Sequence, residues 1–240
     1  MTIYAVGDIH GQLDMLLNAL DLITRDGGPD AEIVFLGDLV DRGPDSRGVI
    51  EHLMQGQAEG RRWHVLKGNH DRLFDGFVRT GFQYDPRVRT GLGWLHQRMG
   101  GLATLTSYGI ENVSDPGTER DIQAARAVVP QAHLDFLGGL SLWHRHKELL
   151  FVHAGILPEV GLEDQTEDDL VWIRDPFLNH VDPHPWLVVH GHTALDHPQH
   201  FGNRIDLDGG AGYGRPIHPA VFEGRDCWLL GDLGRVPLTP

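Results

Sequence analysis

Gly37-Asp38-Leu39-Val40-Asp41-Arg42-Gly43 follows directly on the apolar run Ile33-Val34-Phe35-Leu36. The apolar run reads as a buried strand. Two carboxylates and a guanidinium arrive where that strand stops, and the flanking glycines let the backbone turn tightly there. Carboxylates three residues apart at a buried strand end repel each other unless a cation lies between them. Arg42 answers part of that charge, and a divalent metal would answer more.

The same arrangement recurs on either side. Upstream, Thr2 to Val6 is a β-rich run ending at Gly7-Asp8-Ile9-His10-Gly11. Leu13, Leu16, Leu17 and Leu20 then form one stripe at helical spacing. Downstream, Asp45-Ser46 can cap a helix carrying Val49, Ile50, Leu53 and Met54 on one face. Trp63 to Lys67 reads as a third strand, ending at Gly68-Asn69-His70-Asp71, where a third helix should begin. Strand, polar loop and helix in repetition predict a parallel α/β sheet. Ligands of such sheets sit beyond the carboxyl ends of the strands, where all three polar clusters fall.

From about Thr80 to Gly117 the periodicity weakens, and the stretch reads as an insertion with one or two helices. Ala124 to Leu137 reads as helix broken by Pro130. Leu149 to Val152 is a further buried strand, ending at His153-Ala154-Gly155. Thr166 and Asp169 mark a capping-box start for a short helix through Trp172. Trp186 to Val189 is another strand, ending at His190-Gly191-His192-Thr193. The last forty residues read as short β runs forming a second, more antiparallel sheet. Trp63, Trp172 and Trp186 are expected in the core, and His144 and His146 are expected exposed on a strand rather than as ligands.

Composition narrows the functional classes. A length of 240 residues is enough for one sizeable core, so residues 1–240 are expected to form one domain. The net charge of −14 repels polyanions, so neither nucleic acid nor membrane is an expected partner. The lone cysteine, Cys227, excludes an internal disulfide framework and reads as a small buried residue. No leader pattern or apolar run of transmembrane length is present, and a cytoplasmic address is expected.

Five strand ends thus carry Asp8 with His10, Asp38 with Asp41 and Arg42, Asn69 with His70, His153, and His190 with His192. Carboxylate, imidazole and amide oxygen suit borderline to hard dications such as Mn²⁺, Fe and Zn²⁺. Cysteine is missing from the set, which argues against a structural zinc cage. One ion does not need so many ligands, whereas two ions sharing a carboxylate would use them.

These motifs, in this order, resemble those of the phosphoprotein phosphatase (PPP) family, within the calcineurin-like metallophosphoesterases. The resemblance implies an α/β fold with a central sandwich of mixed sheets flanked by helices. It implies two divalent ions, Mn²⁺ before Fe or Zn²⁺, held by Asp8, His10, Asp38, Asn69, His153 and His192, with Asp38 bridging. A metal-bridging hydroxide would attack phosphorus in line. His70 would protonate the leaving oxygen, with Asp41 orienting it. Arg42 and, by a looser match, Arg174 would bind the phosphoryl oxygens.

Each residue has an alternative role. Asp41 could simply pair with Arg42 on the surface, and His70 could cap the following helix. Arg174 could be a plain helix-terminal cation. His190 is left as a packing or supporting residue, and Asp206 to Gly212 as an architectural strand end. Asp41 matches the protein phosphatases, so a phosphoserine or phosphothreonine protein is the first expected substrate. A dinucleoside polyphosphate such as diadenosine tetraphosphate is the second, and a metal-dependent binding module the third. Trp94, Gly100-Gly101, Thr104-Leu105 and Ser107-Tyr108 resemble the insertion of bacterial relatives. The chain lacks the Ser-Ala-Pro-Asn-Tyr stretch of eukaryotic members, so no regulatory subunit is implied.

Overall fold

The computed structural model describes residues 2–88 and 91–240. Strand β1 (Thr2–Val6) leads through helix α1 (Leu13–Gly27) to β2 (Ile33–Phe35), α2 (Ser46–Ala58), β3 (Trp63–Val65) and α3 (Asn69–Thr80). Helices α4 (Gly101–Ser107), α5 (Glu119–Val128) and α6 (Gln131–Gly138) follow. Then come β4 (Trp143–His146), β5 (Leu149–Val152), α7 (Glu167–Trp172) and β6 (Leu187–His190). The chain closes with β7 (Gln199–His200), β8 (Arg204–Asp206), β9 (Ala220–Glu223), β10 (Asp226–Gly231) and β11 (Gly234–Pro237).

Two mixed sheets result. One has the order β11-β10-β9-β1-β2-β3 and the other β4-β5-β6-β8-β7. β1, β2 and β3 run parallel in the first, as do β5, β6 and β8 in the second. The parallel arrangement expected of the first three βα units is present as β1-β2-β3, within the sandwich of mixed sheets that the resemblance implied. One expectation is corrected: the last forty residues do not build a sheet of their own. β7 and β8 extend the second sheet, while β9 to β11 add antiparallel strands to the first, beside β1. Short polar–apolar runs specify a strand, but the edge it joins is decided by long-range pairing.

The period of two along each strand sorts residues between layers. Ile3, Ala5, Val34, Phe151, Val189 and Phe222 meet between the sheets. Tyr4, Val6, Phe35 and Val65 point outward onto α1, α2 and α3. Leu150, Val152 and Val188 point outward on the second sheet, onto Leu170, Ile173 and Phe177. Full burial of such side chains contributes about 1.5–3 kcal/mol each. Cys227 lies on β10 at 4% exposure, and burial pushes its thiol up to about 12.

Helix boundaries follow local chemistry. Asp45 caps α2, accepting from Gly48 N at 2.7 Å. Thr166 and Asp169 close the expected capping box of α7. Pro130 divides the expected 124–137 helix, and α5 begins earlier, at Glu119. Between α3 and α5 the described residues hold one short helix, α4; residues 89 and 90 of the expected insertion lie outside the described set. Trp63 and Trp172 are partly buried against the main core, and Trp186 is partly buried against the outer layer of the second sheet. Among the described residues no helix is long and apolar enough to cross a membrane.

Candidate metal centre and phosphate site

The five motif loops meet at the carboxyl ends of β1, β2, β3, β5 and β6. Asp8, His10, Asp38, Asp41, Asn69, His70, His153 and His192 are all buried. Their backbone is unusual. Eight non-glycine residues among those described have positive φ, and five of them are His10, Asp38, Asp41, Arg42 and His192. Such conformations cost of order 1–3 kcal/mol each and cluster where side chains must be aimed. Gly43, Gly68 and Gly191 permit close approaches, since a Cβ there would collide with His10, Asp38 and Asp8 respectively.

Asp38 is the hub. It belongs to two groups whose ligand atoms lie within 4.8 Å of one another, one with His10 and His70, the other with His153 and His192. Its Oδ2 is 3.6 Å from His10 Nε2, and its Oδ1 is 3.4 Å from His153 Nε2. His70 N donates to Oδ1 at 2.9 Å. Two imidazoles are aimed by backbone carbonyls. His10 Nδ1 meets Val40 O at 2.9 Å, and His153 Nδ1 meets Leu36 O at 2.9 Å, leaving each Nε2 directed inward. Carbonyl anchoring of the far nitrogen is a common way to fix a ligating histidine. Asn69 Oδ1 is 3.0 Å from His153 Nε2 and 2.8 Å from His192 Nδ1. Asp8 accepts from His192 N at 3.1 Å, which ties the first motif to the last.

The electrostatics call for cations. Burial, then the neighbouring Asp208 and Asp38 carboxylates, push Asp8 well above the carboxylate range. Burial also acts on Asp38, but the surrounding imidazoles outweigh it and hold that carboxyl below its ordinary value. Burial lowers His10, His153 and His192, so these rings are neutral, the form that ligates metal. His192 Nε2 is buried with no hydrogen-bond partner. Overlapping donor groups, neutral imidazoles and mutually repelling carboxylates fit divalent ions.

The remaining predicted residues flank this group. His70 Nδ1 lies 2.5 Å from Asp41 Oδ2. Asp41 is fully buried rather than paired with Arg42 at the surface. Arg42 instead spans two rings, with Nη1 2.5 Å from His10 Nε2 and Nη2 3.1 Å from His70 Nε2. Arg174 is exposed, donates to Thr193 Oγ1 at 3.0 Å, and lines the same cavity of about 430 Å³ as Asp38, Arg42, Asn69, His70 and His192. His190 turns away from both groups. Its Nε2 meets Arg204 Nη1 at 3.2 Å, and its ring packs on Phe177.

Sequence reading left several residues without a role. Trp94 Nε1 donates to Asp41 Oδ2 at 2.8 Å, and Thr104 Oγ1 donates to Asp41 Oδ1 at 2.7 Å. Asp71 caps α3 and accepts from Leu39 N at 2.9 Å, which joins two motif loops. Its place three residues after Gly68 was a capping signal. The Tyr213 ring lies 5.4 Å from the Arg42 guanidinium, and Arg87 lines the cavity. No local pattern marks either.

Residues 1–214 match the family model for calcineurin-like phosphoesterases. The chain belongs to the calcineurin-like phosphoesterase family. This is a hydrolase family that uses divalent metal ions. The relatives carry different names. A symmetrical bis(5'-nucleosyl)-tetraphosphatase from Janthinobacterium sp. (strain Marseille) is 32% identical over 169 residues, which are 66% of this chain and 45% of that protein. Serine/threonine-protein phosphatase 1 of Salmonella typhimurium is 27% identical over 230 residues, 92% of each chain. The crystal structure of a cold-active protein-tyrosine phosphatase from a Shewanella species superposes with a TM-score of 0.66 at 18% identity, covering 99% of this calcineurin-like phosphoesterase and 80% of that chain.

Proposed function

We propose that this phosphoesterase hydrolyses phosphate monoesters with a pair of divalent ions, Mn²⁺ first, and that its substrate is a phosphoserine- or phosphothreonine-bearing protein. Asp8, His10 and Asp38 would hold one ion, and Asp38, Asn69, His153 and His192 the other. When bound, the ions supply a nucleophile at neutral pH and neutralise developing charge.

The residues of the chain do the rest. Arg42 offers a planar fork to the phosphoryl oxygens, and Arg174 supplies a second cation across the cavity. His70 carries the proton, with Nδ1 tied to Asp41 and Nε2, which meets Arg42 Nη2 at 3.1 Å, delivering to the leaving oxygen once Arg42 turns to the phosphoryl group. Trp94 and Thr104 fix Asp41, so the imidazole is held in one orientation.

The Asp41–His70 pair carries this reading. An alkoxide leaving from serine or threonine needs a proton, whereas a nucleotide leaving through a phosphate oxygen departs as a stable anion. A buried acid assembly aimed into the cavity therefore favours alkyl monoesters. A dinucleoside polyphosphate is the second reading, supported by Arg87, which lines the same cavity as Arg42 and Arg174 and would add a contact for further phosphates on leaving its ion pair with Asp168.

Purified enzyme decides between them by kcat/KM on phosphopeptides, p-nitrophenyl phosphate and diadenosine tetraphosphate. Faster turnover of phosphopeptide is expected. Preference for diadenosine tetraphosphate by an order of magnitude or more would overturn the first reading.

A further inference from the structure

A second group of histidines lies away from the candidate site, where β3 and β4 face each other as the edges of the two sheets. His64 comes from β3, His144 and His146 from one face of β4, and Glu32 from the entry to β2. Glu32 Oε1 is 3.1 Å from His64 Nε2, 4.0 Å from His144 Nε2 and 3.9 Å from His146 Nδ1. Ligand atoms of Glu32, His64 and His144 all lie within 4.8 Å of one another.

His144 and His146 are not the exposed strand residues expected from sequence. Their side chains are 22% and 14% exposed, and Glu32 is 10% exposed. The Nε2 atoms of His144 and His146 are shielded from solvent with no hydrogen-bond partner. Buried polar atoms of this kind are uncommon, and an ion between Glu32 and His144 would satisfy the Nε2 of His144. Burial, then the adjacent His64, pushes His144 down to about 4, so its lone pair is available at neutral pH. Arg62 takes Oε2 of Glu32, which leaves Oε1 facing the rings.

We propose that Glu32, His64, His144 and His146 form a metal site separate from the catalytic pair, which takes one borderline transition dication, Zn²⁺ before Ni²⁺ or Co²⁺. Three imidazoles and one carboxylate are a common donor set for such ions. Bonds of about 2.1 Å place tetrahedral ligands roughly 3.4 Å apart, so Glu32, His64 and His144 must contract, and His146, near Glu32 but outside their 4.8 Å group, must swing further to complete the set. His64 and His144 are stacked at 3.8 Å with 22° between planes, and the rings must swing about Cβ–Cγ to point at one ion.

The ion would clamp the seam between the sheets. At the other end of that seam Lys67 N donates to Ser141 O at 2.9 Å. Binding to the folded chain alone raises its melting temperature.

The test counts ions. Wild-type protein and His144→Ala/His146→Ala are dialysed against the same buffered Zn²⁺ and analysed by plasma mass spectrometry. The wild type is expected to hold one Zn²⁺ per chain more, to melt higher in Zn²⁺ than the variant, and to share its Mn²⁺-supported turnover of p-nitrophenyl phosphate. Glu32→Gln keeps all three rings and should weaken the extra Zn²⁺ by about tenfold or more; it decides the matter alone if the double variant fails to fold. Equal Zn²⁺ content in the wild type and the folded variants would overturn the proposal.

Discussion

Nδ1 of His70 lies 2.5 Å from Oδ2 of Asp41, and neither side chain is more than 4% exposed. The pair joins the start of α3 to the loop after β2, so both motif loops must be in register for it to form. His70→Asn should lower kcat on phosphopeptide by roughly two to four orders of magnitude, the usual worth of general acid catalysis. Metal content should stay the same, and the loss should be smaller on p-nitrophenyl phosphate, whose phenolate leaves readily. Equal losses on both substrates would remove His70 from leaving-group protonation.

Asp38 stands in both donor groups, so its loss should reach both ions. Asp38→Asn is expected to lose metal and turnover together, and chelation of the wild type should reproduce this. Chelation should also lower the melting temperature, because buried Asp8, Asp38 and Asp208 then repel without a cation between them. Elemental analysis beside thermal melts checks all three outcomes; a variant that keeps both ions would contradict the bridging role.

Trp94 is one of three side-chain partners of Asp41, beside Thr104 and His70. Trp94→Phe keeps the ring packing but removes one of the two side-chain partners of Asp41 Oδ2, leaving His70 Nδ1 alone. A hydrogen bond to a charged group contributes about 1.5–3 kcal/mol, and the urea midpoint should fall accordingly. With His70 less firmly held, kcat should fall while KM changes little. Steady-state kinetics at full Mn²⁺ occupancy reads that split.

His133 on α6 meets the hydroxyl of Tyr108 at 2.8 Å and is 5% exposed. Burial holds its imidazole below the ordinary value. The unfolded ring takes a proton near pH 6.5, while the folded ring resists it. Its contribution is therefore complete above about pH 6.5 and is lost as the solution is acidified toward the lower folded value. His133→Gln does not titrate, so its urea midpoint should decline less than the wild type's between pH 7 and pH 5. Identical declines would contradict the assignment.

Much of this molecule was legible one motif at a time. The polar clusters stood at strand ends, and apolar periodicity put those ends on a βα framework. Local spacing also located the caps at Asp45 and Thr166. The extra roles of Trp94, Thr104, Tyr213 and Arg87 were not legible, because their partners are distant in sequence and no period links them. The Trp94–Asp41 contact spans 53 residues.

The sequence by itself determined the candidate donor types, the order of the loops and the side of the strands on which they gather, because strand direction and turn composition are local properties. Only the tertiary structure decided which strands each sheet takes, that the C-terminal strands divide between the two, and that three histidines and Glu32 gather at the seam. Those arrangements depend on which edges find each other, and edge pairing is set by burial across the whole chain rather than by neighbouring residues.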